Sequence, residues 1–221
     1  MYKIALSLLL CSLTIVAYSS LSSAHLYTKQ ISSQTSSQDT NSTKSSPQEY
    51  KRYLIESGII EYRLTGSQVG SETVYFDKWG MREAKYTSTE IKVGKQIRRS
   101  NRLILMNEEY IYTIDLDNKM GTRIKKPLTN LAASEAVIKQ LGGEKVGSEE
   151  VAGRVCDVWE IKKLATKSWI WKAIVLKTEV KLPGSATVST VVKIEEGVTI
   201  APEKFILPAD IKIIDHFSSS K

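Results

Sequence analysis

The 221-residue chain is short of the residues from which most enzyme sites are built: it holds two histidines and two cysteines. His25 and His216 lie far apart, and neither has a Cys or a second His at metal-binding spacing, so no metal is expected. No G-x-S-x-G elbow, H-E-x-x-H, C-x-x-C or phosphate-cradling glycine loop occurs in the sequence. That removes the common nucleophile, metalloprotease, redox and nucleotide signatures. "DLDNKMG" (115–121) has the outline of a calcium loop, but Lys119 stands where a ligand is needed, so the stretch predicts a hairpin turn. The expectation is a protein with no enzyme activity and no cofactor.

A dense block of one charge sign is also missing. The net charge is +7, yet lysines and arginines are scattered and interleaved with glutamates. Such interleaving predicts solvated sheet faces and no nucleic-acid partner. An attraction to anionic membrane surfaces is left open by it.

The N-terminus, "MYKIALSLLLCSLTIVAYSSLSSA", places Lys3 before an apolar run, Ile4 to about Ala17, and then small residues. This is the order of a secretory signal peptide, with Ser22 and Ala24 at the positions that suit cleavage after Ala24. The run is too short to predict a membrane span. Cys11 suggests a lipid anchor instead, but Leu10 is bulky and the chain stays apolar after the cysteine, which disfavours that reading. The expected destination is the bacterial periplasm. Residues 25–47 are rich in Ser, Thr and Gln and predict a disordered leader. One domain is expected over 48–216, with a flexible tail at 217–221. Only Cys156 would survive cleavage, so no internal disulfide is expected, and a hydrophobic core must supply the stability.

From Tyr53 onward short alternating runs are separated by hairpin-length turns at Lys78–Gly80, 93–95, 117–118 and 183–184. This predicts an antiparallel meander of about ten strands, more than a flat sheet usually holds. It should curl into an incomplete, half-open β-barrel or split into two layers. "PLTNLAASEAVIKQLGG" (127–143) breaks the rhythm, with Leu128, Leu131, Ile138 and Leu141 at helical spacing before a glycine pair. Its apolar stripe needs a partner, and the sheet is the one available. A short helical turn is expected at Pro202–Phe205.

Cys156 in "GRVCDVWEI" shares a strand face with Val158 and Glu160, and reads more readily as a buried hydrophobe than as a reactive thiol. In "SWIWKAIVLKTEVKL" (168–182), taken as one strand, Trp169 and Trp171 share a face that turns charged toward Glu179. The inward face would then switch through a bulge near Lys172 or Ala173. Aromatics recur on most strands. They fit ordinary cross-strand packing. They also fit the wall of an apolar cavity inside a curved sheet. The candidate wall consists of Trp169, Trp171, Tyr110, Tyr112 and Trp159, with Leu131, Ile138 and Leu141 on the covering helix.

"YFDKWGMREAKYT" (75–87), "VAGRVCDVWEIK" (151–162), "WIWKAIVLKTEVKL" (169–182) and "PEKFILPADIKI" (202–213) occur in an order that resembles exported members of the bacterial lipoprotein-carrier superfamily (LolA/LolB-like). The resemblance spans most of 50–213 and rests on strand and turn signatures. It implies an incomplete β-barrel covered by helices, an interior for a lipid or lipoprotein acyl chain, no enzyme activity and no cofactor. This chain departs from it in showing one helix where such carriers have more. The two readings it leaves are a binding protein for a hydrophobic ligand, and an envelope scaffold or interaction protein with a filled core.

Overall fold

The computed structural model describes residues 51–126 and 135–215. Leu128, Leu131, the leader and the tail therefore lie outside the described residues. Among those described, twelve strands form one sheet. In chain order they are β1 (Gly58–Gly66), β2 (Gln68–Asp77), β3 (Arg82–Val93), β4 (Gln96–Met106), β5 (Tyr110–Asp115) and β6 (Met120–Lys125). A helical segment, α1 (Glu135–Gln140), precedes β7 (Glu144–Val151), β8 (Arg154–Ile161), β9 (Thr166–Trp171), β10 (Ile174–Leu182), β11 (Ser185–Glu196) and β12 (Lys212–Asp215).

The spatial order is β12-β6-β5-β4-β3-β2-β1-β11-β10-β9-β8-β7. Two antiparallel meanders, β1–β6 and β7–β11, are thus joined where the first strand pairs with the eleventh. The short β12 alone pairs in parallel, against β6. The sheet is open, with β7 and β12 at its edges, so it is not a closed barrel.

Twelve strands stand where about ten were expected because two segments taken as single strands are hairpins. Lys172 and Ala173 both adopt left-handed backbone (φ +49° and +63°), the conformation of a tight two-residue turn whose twist suits adjoining strands. The Trp169–Trp171 strand therefore ends there, and the chain returns as β10. The sequence offered neither Gly nor Asn at this turn, and those residues carry the usual signal. The bulge expected near Lys172 or Ala173 is therefore absent, its place taken by this turn, and a separate register shift lies within β10 between Val175 and Lys177. Ala152 (φ +51°) and Gly153 (φ +73°) make the corresponding turn between β7 and β8.

The curvature follows from one short bridge. The backbone N–H of Tyr53 donates to the Trp79 carbonyl (2.9 Å), and that of Leu54 donates to the Lys172 carbonyl (3.2 Å). Neighbouring amides bring those two carbonyls to within about 10 Å of one another. In a flat sheet the β2–β3 and β9–β10 turns, four strand spacings apart, would be separated by about 19 Å. The sheet must curl to bring them together, and the segment 52–57 straps the rim of the curl.

Inside the curl lies a core of Ile60, Val74, Phe76, Trp169, Ile174, Leu176 and Val191, with Tyr53 of the strap edge-on to Phe76. Gly58 is required there, since a Cβ would come 2.8 Å from the Phe76 ring. The opposite face of β1–β5 carries Ile59, Tyr75, Ala84, Leu105 and Tyr112, which are opposed through successive strand registers. The C-terminal segment closes that face with Ile200, Phe205, Leu207 and Ile211. Pro202–Phe205 forms the expected helical turn. In α1, Ile138 is buried. Gly142 (φ +78°) and the Gly143 N–H to Ile138 carbonyl bond (2.9 Å) end the helix in a left-handed cap.

Candidate functional site

The concave face is built from rows that the strand registers line up. One row runs Phe76, Glu83, Met106, Ile111, Ile124 across β2 to β6. The next runs Ile60, Val74, Lys85, Ile104, Thr113, Thr122. Met106 and Ile111 are buried, while Ile104 and Ile124 are half-buried. Toward β1 and β9–β11 the same face fills with the core around Phe76 and Trp169.

Charges are buried at the centre of these rows. Arg52 Nη1 donates to Glu83 Oε2 (2.6 Å), and the Tyr53 hydroxyl donates to the same oxygen (2.5 Å). Lys85 lies 3.8 Å from Glu72, which also accepts from the Thr87 hydroxyl (2.9 Å). Burial holds the Tyr53 hydroxyl far above the ordinary tyrosine range, as it does that of Tyr62, which donates to the Val175 carbonyl (2.9 Å). Both phenols therefore remain protonated donors. Half-buried Lys126 donates to the Met81 and Asn107 carbonyls (3.1 and 3.2 Å), and desolvation lowers its pKa. Isolated charges cannot stay ionised in such a place, and pairing is what keeps these there.

This network corrects the expectation of solvated charges on the strands. Arg52, Glu83 and Lys85 are buried. Glu83 and Lys85 alternate with Ala84 and Tyr86, the pattern of a strand with one wet face. Only the curl and the strap turn that face inward, so no local signal marked it.

The expected wall residues fall in separate places. Trp169 and Trp171 belong to the concave core. Trp169 is enclosed: its indole N–H donates to Glu149 Oε2 (2.8 Å), and the Lys177 and Lys167 ammonium groups sit 4.2 and 4.9 Å from its ring. That hydrogen bond is the largest influence lowering the Glu149 pKa. Trp171 is half-buried and flanked by Lys172 and Arg154. Tyr110 and Tyr112 lie on the convex side, in the cluster closed by the C-terminal segment. Trp159 is buried on the face of β8 opposite Val158 and Cys156, opposed to Ser168. Ile138 belongs with Ile161, since a Cβ on Gly143 would meet both. Leu141 is half-buried, and Leu131 lies outside the described residues. The eight residues thus do not converge on one cavity wall.

Cys156 is fully buried, its thiol donates to the Arg154 carbonyl (3.3 Å), and burial raises its pKa. It is held as a thiol. Among the described residues no cluster of metal-ligating side chains occurs, and no helix is long and apolar enough to cross a membrane.

No protein-family model and no curated protein matches the chain. Among solved structures, an uncharacterized conserved protein from Thermus thermophilus aligns at 11% identity with a TM-score of 0.47, over 73% of this chain and 91% of that one. MucB aligns at 12% identity with a TM-score of 0.41, over 74% of this chain and 61% of its own. LprF from Mycobacterium bovis aligns at 10% identity with a TM-score of 0.33, over 66% of this chain and 89% of its own.

Proposed function

We propose that this is a non-enzymatic, exported binding protein that holds a hydrophobic ligand, of the lipid or lipoprotein acyl-chain class, against the concave face of β4–β6. The observation that carries the reading is the half-buried pair Ile104 and Ile124, which borders the buried Met106 and Ile111 past the filled core on the inner side of a curled sheet. An acyl chain laid there gains about 0.8 kcal/mol for each methylene it buries. The carrier-like order of motifs in the sequence supports the same reading, and the signal-peptide pattern supports a periplasmic location. The burial of Cys156 as a thiol supports a role without covalent chemistry.

The rival reading, an envelope scaffold docking through a sheet edge, has the filled core around Trp169 in its favour. The edges speak against it. β7 carries Glu144, Lys145, Glu149 and Glu150 together with a register shift between Lys145 and Gly147, and β12 has four residues. Charges, bulges and short strands are the devices that prevent edge pairing.

Native mass spectrometry of protein purified from its own envelope, with displacement of a fluorescent fatty acid, tests the proposal. Lipid should co-purify, and Ile104→Asp or Ile124→Asp should abolish displacement. Absence of both co-purified lipid and displacement would reject the binding reading.

A further inference from the structure

β3 and β4 are the arms of a hairpin that outruns its neighbours. On one side β2 reaches only to Ile91, and on the other β5 reaches only to Arg102. Asn101 is tied at the base by Asp117, through its backbone N–H (2.8 Å) and its side-chain amide (2.7 Å). Residues 92–100 therefore project as a two-stranded ribbon, turning at Gly94 with nothing packed against it.

The ribbon has an unusual surface. Contrary to the interleaved pattern of the rest of the chain, Lys92, Lys95, Arg98 and Arg99 fall within eight residues that hold no carboxylate, and Arg99 is paired with Glu90 at 2.6 Å. Among the described residues no carboxylate lies within ion-pair distance of Lys92, Lys95 or Arg98, whereas Lys145, Lys167, Lys177 and Lys193 on other strands are each paired with a carboxylate. Among these cations stand Val93 and Ile97, 46% and 61% exposed. The register places Val93 on the face of Arg98 and Ile97 on the face of Lys92, so each face mixes an aliphatic group with a cation. Lysines alone would be explained as protection of an exposed ribbon against strand pairing. Exposed valine and isoleucine work against that purpose.

We propose that the tip of this hairpin docks on an anionic phospholipid surface, its cations at the headgroups and Val93 and Ile97 entering the acyl boundary. Long cationic side chains keep their heads at the phosphates while their stems share the apolar layer. Each cation near such a surface contributes about 1 kcal/mol, about a five-fold change in partitioning.

The test is co-sedimentation of the full chain with vesicles of mixed phosphatidylglycerol and phosphatidylcholine, and with pure phosphatidylcholine. Binding should need the anionic lipid, weaken at high salt, and fall about five-fold for each of K92Q, K95Q and R98Q. V93D/I97D should weaken it further, with thermal unfolding unchanged because these side chains are exposed. Equal binding to neutral vesicles, or a triple charge variant that sediments like the parent, overturns the proposal. The leader is present in every variant, so binding driven by the leader would appear as that second outcome. Fatty-acid displacement should be indifferent to the ribbon variants, so failure of the ligand reading and failure of docking are told apart.

Discussion

The two cores of this sheet are closed by different chemistry. On the concave side the strap 52–57 is fastened by a buried ion pair, a tyrosine hydroxyl and backbone hydrogen bonds to two left-handed turns. On the convex side the C-terminal segment lies down through apolar contact, with cations stacked on aromatic rings at its margin: Arg82 over Phe205, and Lys204 over Tyr75. The concave closure is directional, so it sets one geometry of the curl. The convex closure is mostly area, so it tolerates adjustment. A curl that must hold a definite radius needs the directional kind.

Substitutions separate the two. Phe76→Ala removes a ring packed between Gly58 and Tyr53, where the strap prevents collapse, and should cost about 4 kcal/mol in denaturant unfolding. Phe205→Ala should cost less, toward about 3 kcal/mol, because the convex segment can settle. If the two costs are equal, the contrast between rigid and adjustable closure fails. Glu83→Ala should cost about 3 kcal/mol, since it takes the buried carboxylate away from both the Arg52 guanidinium and the Tyr53 hydroxyl. A cost under about 1 kcal/mol would mean that the remaining surroundings of Arg52 make up for the lost carboxylate. Lys204→Ala should cost about 1 kcal/mol, the range of a half-buried cation–ring contact.

The smallest effect is a titration. The Trp169 indole N–H, with lysines nearby, lowers the Glu149 pKa. A depressed carboxylate contributes stability that is present above its unfolded pKa, about 4.3, and is lost as pH falls through the lower folded value. Trp169 fluorescence should therefore change in that acid window, and Glu149→Gln should remove the step. A step that persists in the variant would assign it to another carboxylate.

Much of the fold was legible in the sequence. Alternation marked the strands, Pro183-Gly184 and Gly94 marked turns, and Pro202 marked the helical turn before the last strand. The two missed hairpins have Lys172-Ala173 and Ala152-Gly153 at their turns, where at least one left-handed residue carries a side chain that gives no turn signal. The candidate site was less legible. Alternation says which residues share a face of one strand, and it rightly paired Trp169 with Trp171 and Tyr110 with Tyr112. It says nothing of whether two such faces look at each other, and here they sit in separate cores.

By itself, then, the sequence determined an antiparallel meander with one inserted helix and a buried Cys156, because period-two alternation and turn chemistry are local properties. Only the tertiary structure decided which face became the interior. The β1–β11 pairing joins the two meanders, and two amides of the strap draw turns four strands apart onto one rim. That curvature buries Glu83 and Lys85, which their own strand would leave wet, and it puts the tyrosines on the outside of the curl. Curvature is a long-range consequence of which strands meet, and no short stretch of the chain encodes it.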